Sequence, residues 1–88
     1  MVVFGYNDES LWRHKVTRKE CLEALVDPLK VIAMQGDSKA GNPTIIWVGM
    51  TSKERLLEVG VKYLDEMDWI YHGNTARAQF RKIYYEND

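Results

Sequence analysis

The chain has 88 residues, 45% hydrophobic and 28% charged, which is enough for one hydrophobic core and predicts a single domain over residues 1–88. This composition excludes an intrinsically disordered chain, and the single cysteine, Cys21, excludes an intrachain disulfide. The net charge of −1 does not favour nucleic-acid binding by the molecule as a whole, because phosphate binders usually carry a basic excess.

Metal, cofactor and membrane signals are missing from the sequence. Two histidines and one thiol are too few for a recognisable zinc site, and no cofactor motif is present. The start of the chain lacks the basic and apolar regions of a signal peptide, and charges interrupt every apolar stretch before membrane-spanning length. These features predict a cytoplasmic protein that binds no metal, cofactor or membrane.

The first elements are a short edge strand over Val2–Tyr6 and a brief helix capped by Asn7 or Asp8. This helix would continue through Trp12. The indoles could stack on nucleic-acid bases, but because indoles in a small protein usually lie in its core, we expect all three tryptophans there. They are Trp12, Trp47 and Trp69.

A second helix has clear start and stop signals. Thr17 and Glu20 form a capping box, in which the threonine hydroxyl and the glutamate carboxylate each accept from the other residue's amide, so the helix begins at Arg18. Asp27-Pro28 ends it, because proline disfavours helical geometry in the residue before it.

Three apolar runs then predict strands. Leu29–Met34 is followed by a mobile hairpin loop over Gln35–Pro43, and Thr44–Met50 is rich enough in β-branched residues to be a central strand buried on both faces. Leu56–Leu64 alternates apolar residues with Glu58 and others, which predicts one buried and one mostly solvated face.

A last strand is predicted over Met67–His72 and ends at Gly73. Asn74 or Thr75 is then expected to cap a final helix. The core-facing residues of that helix follow helical spacing. They are Ala76, Phe80, Ile83 and Tyr84. This order of elements predicts an α+β domain, an antiparallel sheet of four to five strands with helices packed on one face.

Short motifs at fixed spacing run from residue 13 to residue 86. They are Arg13-His14-Lys15-Val16-Thr17, Glu20, Asp27-Pro28, Gly49, Arg55-Leu56-Leu57, Val59, Ala76, Arg81, Tyr84 and Glu86. This series resembles that of BrnT-type toxins, whose own motifs read Lys-His-Gly-Val-Ser, Glu-Ala, Asp-Pro, Gly-Arg-Leu-Leu and a closing Tyr-Glu helix. The chain departs from the family pattern at several positions. Lys15 stands where the family has glycine, Tyr71-His72-Gly73-Asn74 stands where it has Ile-Ser-Ala-Arg, and Phe80 stands where it usually has an acid.

The resemblance implies a RelE-like ribonuclease fold and metal-independent RNA cleavage that arrests translation. It also implies a partner, a cognate antitoxin protein encoded beside the toxin. The residues themselves add two stretches that carry cations and no acid, Ser10–Lys19 and Ile70–Tyr85. If the fold brings these stretches together, a basic patch forms on an otherwise acidic body and gives RNA a binding surface.

Metal-free RNA cleavage requires a base for the ribose 2′-OH, an acid for the leaving oxygen and cations for the phosphorane. The predicted catalytic residues are His14, Arg81 and Tyr84. The predicted RNA-binding residues are Arg13, Lys15, Arg77 and Lys82. His72 is a further candidate, as the partner of His14 in an acid–base pair.

Alternatives stay open for residues and protein alike. A histidine such as His14 beside a helix end is more often structural or solvated than catalytic. Arg77 and Arg81 can form a solvated helix face, and Tyr84 can be a core packing residue. For the protein, the alternatives to a ribonuclease toxin are a catalytically inactive BrnT-like interaction module of unknown function and a structural domain unrelated to toxins.

Overall fold

The computed structural model describes residues 2–86, which form five strands and three helices. In chain order they are β1 (Phe4–Tyr6), α1 (Asp8–Arg13), α2 (Arg18–Leu25), β2 (Val31–Asp37), β3 (Pro43–Met50), β4 (Leu56–Tyr63), β5 (Asp68–Thr75) and α3 (Ala78–Glu86). Among these residues, no helix is long and apolar enough to cross a membrane.

The strands form one sheet in the order β1-β5-β4-β3-β2. Strands β2 to β5 make an antiparallel meander, as predicted, whereas β1 pairs parallel with β5. The α+β class is therefore confirmed, but the sheet is mixed rather than purely antiparallel. The parallel pair arises because β1 and β5 are joined through two helices and three strands, and no tight turn fixes their relative direction.

The helices cover both faces of the sheet, so the prediction that all of them lie on one face is wrong. Helices α1 and α2 pack on the face that carries Leu57 and Val59 of β4. Helix α3 packs on the opposite face, against Leu56 of the same strand and Val48 of β3. Neighbouring residues of a strand point to opposite faces, so β4 contributes to both cores.

The predicted burial of β3 and β4 is reversed in the structure. Strand β4 is the central strand and is buried along most of its length, whereas β3 is only partly buried over its first half. Glu58, expected on a solvated face, is only 1% exposed. Gly60 is buried because the Tyr71 ring covers it so closely that a Cβ there would lie 2.6 Å from the ring.

The start signals of both early helices are confirmed. The Asn7 side chain accepts a hydrogen bond from the Ser10 amide, and α1 begins at Asp8. The Thr17 capping box is complete, with both reciprocal bonds present. Local hydrogen bonding within four residues determines these helix starts, which explains why the sequence predicts them.

Two later boundaries are wrong. Strand β2 extends to Asp37, so the hairpin loop is shorter than predicted, and β5 continues past Gly73 to Thr75. Gly73 lies inside the strand, where a Cβ would meet the Leu11 side chain at 2.8 Å, so the close packing of α1 and not a strand end accounts for the glycine. Helix α3 therefore starts at Ala78, beyond the predicted caps.

Trp12 and Ile83 are not in the core. Trp12 is 82% exposed, because Leu11 takes the inward position of α1 and the next residue lies about 100° round the helix. Trp47 is half-buried and its Nε1 donates to the Tyr63 hydroxyl at 2.8 Å. On α3, Phe80 and Tyr84 are buried as predicted, while Ile83 is exposed.

Candidate active site at the outer edge of strand β5

His14 is positioned by the way α1 ends. The Lys15 amide donates to the Trp12 carbonyl and the Val16 amide to the Leu11 carbonyl, both at 3.0 Å, and Lys15 has a φ of 56°. This is a Schellman motif, closed by the contact between the buried Leu11 and Val16 side chains. Glycine is the favoured residue at the left-handed position that Lys15 occupies, which is the position where BrnT-type toxins have glycine.

Arg55 fixes this turn to the rest of the site. Its Nη1 donates to the Lys15 carbonyl at 2.9 Å and to Glu20 Oε2 at 3.1 Å, and its Nη2 donates to Thr75 Oγ1 at 3.2 Å. Burial acts to raise the pKa of Glu20, but hydrogen bonds from Thr17 and Arg55 outweigh it and the pKa is lowered. One guanidinium thus joins the α1 turn, the start of α2 and the end of β5.

The two histidines meet at the open edge of β5. Their ring centroids are 5.8 Å apart and the ring planes lie at 70° to each other. Strand β1 pairs only with Asp68 to Ile70 of β5, so the edge beyond Ile70 is left to the turn that carries His14. The fold therefore brings His14 and His72 side by side, and their action as an acid–base pair stays a prediction.

A buried carboxylate, that of Glu58, contacts the His72 ring. Glu58 Oε2 lies 2.9 Å from His72 Nε2, while Oε1 accepts from the Arg77 amide at 2.9 Å and from Arg77 Nε at 3.1 Å. Burial acts to raise the pKa of Glu58, but the bonds from Arg77 and His72 outweigh it, so its pKa is lowered. Because an ionised carboxylate only accepts, His72 Nε2 carries the proton and Nδ1 is left for other chemistry.

Arg77 brings positive charge to this group. Its side chain is 50% exposed, and its guanidinium lies 4.3 Å from the Phe80 ring centroid. Only Nε contacts Glu58, and within residues 2–86 the two terminal nitrogens form no hydrogen bond. Arg77 can therefore neutralise Glu58 and still donate to an anion beside His72.

Tyr84 is held elsewhere. Its hydroxyl donates to Asp27 Oδ2 at 2.6 Å, and the same oxygen accepts from the Met50 amide at 2.8 Å. Burial, followed by the Asp27 hydrogen bond, raises the pKa of Tyr84 to about 12. The structure thus gives the Tyr84 hydroxyl a structural partner between α3 and the end of α2, apart from the His14 pair.

The remaining predicted cations are dispersed. Arg13 pairs with Glu9 on the exposed side of α1, and Arg81 lies 5.7 Å from the Tyr85 ring on α3. Lys15 and Lys82 are exposed. The two cation-bearing stretches therefore meet through His14 and His72, while Arg81 and Lys82 lie further along α3 than Arg77.

Sequence reasoning missed Glu58 and Arg55. The sequence did carry a signal for the burial of Glu58, because this acid stands alone inside the apolar run Leu-Leu-Glu-Val-Gly-Val. In the structure, the residues on both sides of it are buried. Arg55 was marked only by its place in the series of motifs that resembles BrnT-type toxins. Within residues 2–86, no three histidine, cysteine or acidic side chains are grouped so that they could hold a metal ion.

No protein-family model matches this sequence, and comparison with curated proteins gives no match either. The likeness to BrnT-type toxins therefore rests on the motifs alone.

Proposed function

We propose that this protein is a metal-independent endoribonuclease that acts as the toxin of a toxin–antitoxin pair. The observation that supports this proposal is the paired rings of His14 and His72, with the buried Glu58 against His72. Two adjacent imidazoles can supply a base and an acid without a metal. The role as a toxin rests on the family resemblance.

His72 is the proposed base. Glu58 accepts from Nε2, fixes the ring and stabilises the imidazolium that forms when Nδ1 takes the proton of the ribose 2′-OH. The 2′-oxygen then forms a bond to phosphorus as the bond to the 5′-oxygen breaks. The products are a 2′,3′-cyclic phosphate and a free 5′-hydroxyl.

His14 is the proposed acid, which gives its proton to the departing 5′-oxygen. Arg77 and Lys15 are the exposed cations that stabilise the negative charge on the phosphorane. Arg77 shares the Glu58 carboxylate with His72, and Lys15 follows His14 in the chain. Arg55 touches none of the reacting atoms in this scheme and acts by positioning the turn that carries His14.

Cleavage of an end-labelled single-stranded RNA in excess EDTA tests the reaction. We expect His14→Ala and His72→Ala each to reduce the rate by a factor on the order of 10² to 10⁴. Glu58→Gln should also reduce it, since the amide retains the shape but removes the charge. Products without a cyclic phosphate, or equal rates in the native protein and in a His14→Ala, His72→Ala double variant, would reject this mechanism.

A substrate with sulfur in place of the 5′-bridging oxygen separates the two histidines. A thiolate leaves without protonation, because a thiol is a far stronger acid than an alcohol. We expect this substrate to restore activity to His14→Ala and not to His72→Ala. Rescue of the opposite variant would exchange the two roles.

Expression in bacteria tests the role as a toxin. Induction of the native chain should stop growth and degrade RNA, and the His14→Ala, His72→Ala double variant should do neither. Co-expression of the antitoxin expected beside the gene should restore growth by direct binding.

A catalytically inactive interaction module is the second candidate. It is favoured by Asn74, which pairs in register with Glu58 where the family pattern has arginine, and by the exposed Val26 and Leu29 at the end of α2. Normal growth and intact RNA after induction would support it. Asn74→Arg should then raise RNA affinity if that position is the lost function.

A further inference from the structure

Trp12 is the most exposed large apolar side chain in the described part of the molecule, at 82%. Tryptophan is rarely left in water, because its large ring gains more from burial than most side chains do. Within residues 2–86, its ring takes part in no aromatic or cation–π pair. The fold therefore gives this ring no packing role.

The surface beside Trp12 carries positive charge. A shallow cavity of about 530 Å³ is lined by Trp12, Arg13, Lys15, Val16 and Thr17, which include two cations and no acid. Arg13 contacts Glu9 at 3.3 Å, but both side chains are largely exposed, and exposed ion pairs contribute little to stability. A phosphate can therefore compete for Arg13.

The same turn joins this surface to His14. The hydrogen bond from the Lys15 amide to the Trp12 carbonyl fixes the backbone between them, and His14 lies between two residues that line the cavity. The cavity and the His14 pair are therefore carried by the same short turn.

We infer that Trp12 is a stacking platform for one unpaired base of a single-stranded RNA, adjacent to the nucleotide cleaved at His14. This inference rests on the proposed function. An aromatic ring flanked by cations is the usual arrangement for binding single strands, because every base has a face to stack and every nucleotide carries a phosphate. In a duplex the bases are already stacked, so the site selects single-stranded RNA.

The test is binding of a single-stranded 2′-O-methyl oligonucleotide, which lacks the nucleophile and stays uncleaved, compared with the same sequence in a hairpin duplex. Trp12→Ala should weaken single-strand binding by roughly 5- to 150-fold, the loss of one base stack. Trp12→Phe should lose less, and duplex binding should change little. Met34→Ala is the matched control, because Met34 is also exposed, at 54%, but lies on β2 at the other edge of the sheet.

Kinetics give a second measurement on cleavable RNA. Trp12→Ala should raise KM with kcat nearly unchanged, because stacking is the same in the ground and transition states. A native protein that cleaves RNA while Trp12→Ala binds and cleaves like Met34→Ala overturns this inference alone, and would leave the indole surface to a protein partner. A native protein that neither binds nor cleaves RNA overturns the proposed function with it.

Discussion

Two carboxylates, the buried Glu58 and the half-buried Asp27, determine the position of polar side chains in β5 and α3. Glu58 holds Arg77 and His72, and Asp27 holds Tyr84 and the Met50 amide. In both cases the hydrogen bonds to the carboxylate lower its pKa against the effect of burial, so the acid is ionised in the folded protein. At Glu58, Arg77 keeps exposed nitrogens that can donate to a ligand, whereas within residues 2–86 the Tyr84 hydroxyl at Asp27 leaves no such donor. We therefore assign a chemical role to Glu58 and a structural role to Asp27.

Tyr84→Phe is expected to lower the free energy of unfolding by about 1.5–3 kcal/mol, the range for hydrogen bonds to charged groups. Urea unfolding measures this change. Tyr85→Phe is the matched control, because Tyr85 is 59% exposed and should change stability by less than about 0.5 kcal/mol. Equal stability of the two variants, or loss of RNA cleavage in a folded Tyr84→Phe protein, would contradict the structural assignment.

Helix α1 has only six residues and depends on its two ends. Asn7 caps the first turn, and the Schellman motif ends the helix with Lys15 in a left-handed conformation. A side chain there costs roughly 1–2 kcal/mol relative to glycine. Helix α1 ends in this conformation despite the cost, and Lys15 places a cation next to His14 in the chain.

Replacement of Lys15 separates strain from charge. Lys15→Gly should raise the free energy of unfolding by about 1 kcal/mol, because it relieves the left-handed backbone, while Lys15→Ala should not. Both variants should weaken RNA binding to the same extent, since each removes one positive charge. Thermal unfolding and RNA titration measure the two effects. Equal stability of Lys15→Gly and Lys15→Ala would contradict the strain argument.

The whole molecule should respond to pH at both extremes. Hydrogen bonds and ion pairs lower the pKa values of Glu20, Asp27 and Glu58 in the folded protein. A lowered pKa contributes stability above the unfolded value, and this contribution is lost as pH falls through the folded value. Tyr84 has the opposite sign, because burial raises its pKa to about 12, so its contribution is lost as pH rises above about 10.

We therefore expect the free energy of unfolding to be greatest between about pH 5 and pH 9 and to fall below about pH 4, where ordinary carboxyls titrate. Urea unfolding across this range measures the profile. Glu58→Gln should flatten the acid side, and Tyr84→Phe the alkaline side. A native profile that is flat from pH 5 down to pH 3 would show that these carboxylates are not linked to folding.

The sequence by itself determined the features that depend on near neighbours. The α+β class, the starts of α1 and α2 and the positions of the strands follow from caps and apolar patterns within a few residues. His14, His72 and Arg77 were candidates because their side chains carry the required chemistry. For the site, the sequence thus supplied the residue types but neither their grouping nor their supports.

The tertiary structure decided what depends on distant partners. Glu58 is buried as an ionised group because His72 of β5 and Arg77, directly before α3, bind its carboxylate. Trp12 is exposed because Leu11 takes the inward position of α1 and packs against Gly73. The residue at position 73 of β5 is glycine because Leu11 approaches the strand too closely for a Cβ. Burial and ionisation are set by the groups that surround a side chain in space, so they were fixed only when the sheet brought these segments together.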